Sequence, residues 1–226
     1  MSHYTILLIN EENVEEALNP FWELDLSREE MKKDDRAEFI IKFKKEDLEK
    51  EFKKFKEEHK EDLDKGEKDY WVKYKTCSAI EWLNSWEGLY LNKEETNYGY
   101  YTNPKAKWDW YQIGGRWASM IKLKKDVDKS NYDKANFSYG WEEKDKKKAK
   151  GIDSAYKKDI TLACLKKLQT FAVLKEGVWY EKGSMGWWGM SDETKKEAEK
   201  WDKGFYDNFI KKLKGDTLLT IVDLHI

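Results

Sequence analysis

Two of the three histidines in this sequence stand at its extremes, in His3-Tyr-Thr5 and in Asp223-Leu-His225, each inside an apolar, β-prone run. Imidazole is the side chain whose ordinary titration falls near neutral pH. A pair of them brought together can take a proton from an attacking hydroxyl and give one to a leaving oxygen. In His-x-Thr the hydroxyl two residues on adds a contact for a phosphate oxygen. The second copy is read as incomplete, because the sequence stops at Ile226, one residue short of the hydroxyl position. The same atoms permit two other uses. His3, Asp223 and His225 form a two-histidine, one-carboxylate set of metal-ligand type, and both imidazoles can simply hydrogen-bond at a sheet edge.

A second chemical group is Lys107-Trp-Asp-Trp-Tyr-Gln-Ile-Gly-Gly-Arg-Trp117, with three Trp, a Tyr, an Asp and an Arg in eleven residues. Gly114-Gly115 between two β-prone runs predicts a hairpin, with strands at about 107–113 and 116–123, because paired glycines supply the positive φ such a loop needs. Period-2 alternation then puts Trp108, Trp110, Gln112, Trp117, Ser119 and Ile121 on one face. Asp109, Tyr111, Ile113, Arg116, Ala118 and Met120 take the other. The Trp face reads equally as core. A charged face among aromatics points to a ligand, since a buried charge needs a partner. Arg grips phosphate through its planar fork and purines stack on Trp and Tyr. Arg116 is therefore the phosphate contact. Trp110 and Tyr111, with Trp187 and Trp188 from Gly183-Ser-Met-Gly-Trp-Trp-Gly-Met190, are the stacking walls. Trp108, Trp117, Thr5 and Asp223 complete the expected ligand-binding set, and Met185–Met190 should line the same pocket as Arg116. No cofactor and no metal is expected.

These groups need a scaffold. Residues 3–9 and 217–226 read as strands, the latter apolar enough to be central. If they pair antiparallel, His3 meets His225, with Thr5 and Asp223 one step inward on the same face. Between them the chain reads as a short helix at Val14–Leu18 stopped by Pro20, a Ser27/Glu30 capping box and a strand at Ala37–Phe43. Charged helices follow at Asp47–Leu63 and Asp69–Trp86, set off by Gly66 and Gly88. A polar stretch, 125–153, precedes a helix at Ser154–Leu168. A second hairpin spans Phe171–Leu174 and Val178–Tyr180, and a helix starting near Ser191 buries Ala198, Trp201, Phe205, Phe209 and Leu213. Strands interleaved with hairpins predict α+β: a mainly antiparallel sheet with a ferredoxin-like core, insertions, and helices packed on it. One domain, 1–226, is expected, with a charged helical insertion at about 44–88 and a flexible loop at about 125–153. His59, among Lys and Glu, is given no role.

Composition removes several functions. Lys and Arg (43) nearly balance Asp and Glu (45) over 226 residues, a net charge of -2. Long nucleic acid, which demands a row of cations, is not an expected partner. No phosphate-binding P-loop, dinucleotide fingerprint or zinc-type Cys/His spacing occurs. Cys77 and Cys164 suit buried thiols in a reducing compartment. No leader or membrane segment is read, so a cytoplasmic protein without membrane contact is expected.

Asn103-Pro-Lys-Ala-Lys-Trp-Asp-Trp-Tyr-Gln-Ile-Gly-Gly-Arg-Trp117 resembles the central signature of a widespread family of uncharacterised phage proteins, Asn-Pro-x-x-Lys-Trp-Asp-Trp-Tyr-x-x-Gly-Gly-Arg-Trp. His3-Tyr-Thr-Ile-Leu, Met185-Gly-Trp-Trp-Gly189 and Leu219-Thr-Ile-Val-Asp-Leu-His-Ile226 resemble the same family. The resemblance implies a phage or prophage origin and the cytoplasm of an infected bacterium; it carries over no catalytic residue. By analogy with small phage counter-defence proteins, the expectation is a sponge: a protein that sequesters a small nucleotide immune signal, of cyclic dinucleotide or cyclic ADP-ribose type. Alternatives are a metal-independent phosphodiesterase using His3 and His225, with a pattern like that of two-histidine phosphoesterases, and a protein-binding inhibitor of a host defence enzyme. A homo-oligomer is compatible with each.

Overall fold

The computed structural model describes residues 2–65, 69–87, 89–186 and 190–226. The expected separators Gly66 and Gly88, and Trp187 and Trp188, lie outside them. In chain order the strands are β1 (His3–Ile9), β2 (Glu38–Lys44), β3 (Tyr90–Leu91), β4 (Asn97–Thr102), β5 (Trp110–Ile113), β6 (Ser154–Tyr156), β7 (Ala172–Lys175), β8 (Val178–Glu181) and β9 (Leu218–His225).

The chain divides into two compact units, residues 1–23 with 105–226, and residues 24–104. The expected insertion at about 44–88 lies within the second of these units. The inserted unit is larger because it carries its own sheet, β2-β4-β3. Against that sheet's strands and helices lie Phe52, Phe55, Trp71, Tyr74, Trp82 and Tyr98, which form its buried centre. The charged helix Leu48–Glu58 sends Phe52 and Phe55 inward and its lysines and glutamates to water, as its apolar spacing predicts.

The larger unit is α+β, built on a mixed, mainly antiparallel sheet in the order β5-β9-β1-β7-β8, with β6 also on β9. β1 and β9 occupy its middle and are antiparallel, with His3 opposite His225, Thr5 opposite Asp223 and Ile9 opposite Leu219. Their near-continuous apolar sequences are explained by burial on both faces. Leu7, Ile9, Leu219 and Ile221 point into one cluster, with Phe205 and Ile210. Tyr4, Ile6, Leu8, Val222 and Leu224 point into another, with Leu18 and Trp108. The antiparallel pairing of the first and last strands is as expected. Beyond it, β7 lies parallel to β1 and β8 takes the edge. The Glu176-Gly177 turn joining them has φ of 53° and 72°, the hairpin geometry its sequence implies.

The helix Lys195–Phe205 opens with a capping box, Thr194 and Glu197 each bonding the other's backbone N–H. It continues as a π-helical turn, Tyr206–Ile210, and buries Phe205 and Ile210 in the first cluster. The expected helix at Ser154–Leu168 is corrected: only Leu162–Lys167 is α-helical. Its first residues are drawn into β6, where Ala155 is fully buried against β9. The stretch 125–153 carries two short helical turns, Lys129–Asn131 and Glu143–Lys148.

The hairpin at Gly114-Gly115 does not form. β5 is there, but it pairs with β9. Gly114 and Gly115 do take positive φ, 76° and 57°. Residues 116–119 then curl back, with Trp117 N–H donating to Gly114 O and Ala118 N–H to Gly115 O. The turn is pinned from below, because Arg116 N–H donates to a buried Asp223 oxygen at 2.9 Å. A Cβ on Gly115 would lie 2.5 Å from Asp223 Cβ, and one on Gly114 would lie 2.1 Å from Asp153 Oδ2. Two tertiary carboxylates, rather than a partner strand, require these glycines.

Candidate functional site

The site is laid out by β-sheet register. Cross-strand pairing sets Trp110, His225 and His3 in one row over β5, β9 and β1, and Gln112, Asp223 and Thr5 in the next. All six lie on one face, just beyond the end of the cluster that Leu7 and Ile221 belong to.

Each histidine is held by a carboxylate through the same nitrogen. His3 Nδ1 lies 2.8 Å from Asp223 Oδ1, and His225 Nδ1 lies 2.6 Å from Asp109 Oδ1. A carboxylate only accepts, so Nδ1 carries the hydrogen in both rings and Nε2 is the nitrogen left for chemistry. The two rings meet edge to face, 5.0 Å between centroids. His225 Nε2 is buried and has no hydrogen-bond partner among the described residues, an arrangement that costs stability unless something uses it.

Asp223 is completely buried. It is tolerated there because both oxygens are satisfied, one by His3 and the other by the Arg116 backbone N–H. Asp109 sits at the bend before β5, where its own N–H donates to His225 O. That bend interrupts the alternation and turns Trp108 to the opposite face. Nearby, Asp153 accepts from Ser119 N–H and Asn136 N–H, both at 2.6 Å, and burial pushes its carboxyl above the usual range.

Above these rows lies a cleft of about 880 Å³, lined by His3, Trp110, Gln112, Arg116 and His225 and by the loop Ser138-Tyr139-Gly140-Trp141. Its size is in the range of small-molecule sites. The loop is attached to the glycine turn: Ser138 N–H donates to Gly115 O, and Gly115 N–H to Asn136 O. Trp141 leans edge-on against Phe137 at 4.9 Å. Half of Trp110's surface is exposed, and the Arg116 side chain forms no ion pair among the described residues. The cleft therefore offers a cation, an aromatic face and parts of two imidazoles, the His225 Nε2 being covered.

The expected residues divide accordingly. His3, His225, Trp110 and Arg116 line the cleft together. The face assignment is corrected, since Arg116 lies with Trp110 and not with Asp109 and Tyr111; the turn at 116–119 removes the strand that would have alternated. Trp108 is core, its indole N–H donating to Leu18 O. Tyr111 packs edge-on against Trp108 in the same cluster, and burial pushes its phenol pKa up. Trp117 packs on the opposite cluster. None of these three aromatics lines the cleft. Thr5 is buried, its hydroxyl accepting from Phe171 N–H at 3.3 Å, and it does not line the cleft. Asp223 positions His3 and is covered. Trp187 and Trp188 lie outside the described residues; Met185, before them, packs in the cluster with Tyr4 and Ile6.

Sequence reasoning passed over Asp109 as the partner of His225, Gln112 as a lining residue, and the loop 138–141. The Tyr-Gly-Trp run in an otherwise charged stretch was the available signal for the last. As for metal binding, Asp223 is committed to His3 and Arg116, and no cluster of three or more His, Cys, Asp or Glu suited to a metal ion occurs among the described residues. No protein-family model, curated protein or solved structure matches this chain.

Proposed function

We propose that the cleft binds a small nucleotide and that His3 and His225 act on its phosphodiester as an acid–base pair. The observation that carries this reading is the pair itself: two imidazoles, each anchored through Nδ1 by a carboxylate, 5.0 Å apart in a cleft that also holds Arg116. Two separate carboxylates fixing the same tautomer in two facing rings are more than simple binding needs. They are what proton transfer at Nε2 needs.

In this reading Arg116 holds the phosphate and a base stacks on Trp110. One Nε2 removes the proton of an attacking hydroxyl, from water or from the neighbouring ribose. That oxygen bonds to phosphorus, the phosphorus–oxygen bond to the leaving group breaks, and the leaving oxygen takes a proton from the other imidazolium. The likeness to phage proteins suggests a cyclic nucleotide immune signal as the substrate, and an anti-defence role.

Sequestration without cleavage is the second reading, and the burial of His225 Nε2 favours it. One experiment separates the two. The purified protein is incubated with a panel of cyclic nucleotides, heat-denatured, and the released material chromatographed. Altered nucleotide supports the phosphodiesterase; intact nucleotide returned by heat means a sponge; no depletion from solution by any nucleotide removes both.

A further inference from the structure

We propose that Asp153 is a positioning residue for ligand binding. It fastens the loop that carries Ser138-Tyr139-Gly140-Trp141 to the Gly114-Gly115 turn, and so sets the affinity of the cleft without taking part in proton transfer. The proposal rests on the nucleotide-binding reading above and adds the group that holds the irregular wall of the cleft. His3, Trp110, Gln112 and His225 stand on β1, β5 and β9, where sheet pairing fixes them. Arg116 and residues 138–141 line the same cleft from outside any strand. Loop residues hold a site less closely than strand residues do, unless bonds from a neighbouring group fix them.

Those bonds converge on one carboxylate. Asp153 Oδ1 accepts from Ser119 N–H and Oδ2 from Asn136 N–H, both at 2.6 Å. The first donor closes the turn that begins at Arg116, and the second lies two residues before Ser138. Asp153 is itself tied to the sheet, its carbonyl accepting from Ile221 N–H at 2.8 Å. It is buried, and Gly114 leaves the space that Oδ2 occupies, since a Cβ there would lie 2.1 Å away. Two donors arriving from different segments need an acceptor on each oxygen. A carboxylate supplies both, whereas an amide supplies one and turns a donor toward the other. Burial works against the charge, and the two N–H groups offset it. The histidines have carboxylates of their own, Asp223 for His3 and Asp109 for His225. Holding the wall and holding the rings thus fall to different carboxylates.

The test compares the parent with Asp153→Asn and with Asn136→Pro, which deletes only the N–H that an exposed residue donates. Hydrogen exchange is followed at residues 137–141 and along β1 and β9. Affinity for cyclic AMP, cyclic di-AMP and cyclic di-GMP is titrated by calorimetry. In both variants the loop amides should exchange faster, while those of β1 and β9 keep the parent's protection. Affinity for whichever of these nucleotides the parent binds should fall about five- to 150-fold, the equivalent of one buried polar group losing its partner. Where the nucleotide is cleaved, KM should rise and kcat should hold, a split that a loss of acid–base geometry does not give. Variants with a released loop and the parent's affinity overturn the proposal, as do variants whose loop exchanges no faster. Loss of protection throughout β1 and β9 in both variants also overturns it, because Asp153 then supports the fold at large. A parent that binds none of the three nucleotides overturns the nucleotide reading itself, and this proposal with it.

Discussion

Asp223 bonds His3 Nδ1 through Oδ1 at 2.8 Å and the Arg116 backbone N–H through Oδ2 at 2.9 Å. One buried carboxylate thus fixes both the ring that would move the proton and the turn that carries the phosphate-binding cation. Asp223→Asn can accept at only one of these positions and turns a donor toward the other. The proposed activity should fall by ~10²–10⁴-fold, the range for loss of a positioned acid or base. Stability should fall by about 1–3 kcal/mol, the cost of one unsatisfied buried group. Turnover and urea unfolding of the same sample check both.

Gly115 has a φ of 57°, and an added Cβ would stand 2.5 Å from Asp223 Cβ and Oδ2. Neither atom can retreat, because the carboxylate is bonded on both sides. Gly115→Ala should cost about 1–3 kcal/mol from crowding and weaken nucleotide binding, since the displaced turn carries Arg116. The check is the unfolding midpoint measured alongside affinity. A variant as stable as the parent would contradict this account of the turn.

Arg116 lines the cleft without an ion pair among the described residues. Arg116→Ala should lower nucleotide affinity by about ten- to 150-fold, equivalent to ~1.5–3 kcal/mol for hydrogen bonds to a charged group. Arg116→Lys should fall between, keeping the charge and losing the fork. Titrations at two salt concentrations should show the parent's affinity dropping with ionic strength and the Ala variant's dropping less.

The helix that buries Phe205 begins with Thr194 and Glu197, whose mutual bonds hold the Glu197 carboxyl below its ordinary value of 4.5. A group whose pKa is lowered on folding stabilises the fold above its unfolded pKa and loses that contribution as pH falls through the folded one. The difference in Tm between the parent and Glu197→Ala should therefore be present at pH 7. It should close as the pH falls below about 4.5. A gap independent of pH would mean that the carboxylate's charge is irrelevant to the cap.

Much of this was legible in the sequence where period-2 geometry governs. Once residues 3–9 and 217–226 are paired antiparallel, His3 must face His225 and Thr5 must face Asp223, and the register is as expected. The roles were less legible. Gly114-Gly115 has the same local chemistry in a hairpin as in a turn; what decides is Asp223, more than a hundred residues away. Trp108 left its expected face because the bend at Asp109 breaks the alternation, and nothing local signals that bend. The loop 138–141 has no periodicity, and only its bonds to Gly115 bring it to the cleft.

The central claim is that His3 and His225 divide proton removal and proton donation between them. It is tested most directly by the pH dependence of kcat/KM for cleavage of a cyclic nucleotide by the parent, His3→Ala and His225→Ala. The parent should give a bell-shaped profile, because one ring must be neutral and the other protonated. Each alanine variant should be slower by ~10²–10⁴-fold, and each should lose a different limb of the bell. A parent that binds the nucleotide and returns it intact at every pH, or variants that keep both limbs, would contradict the account.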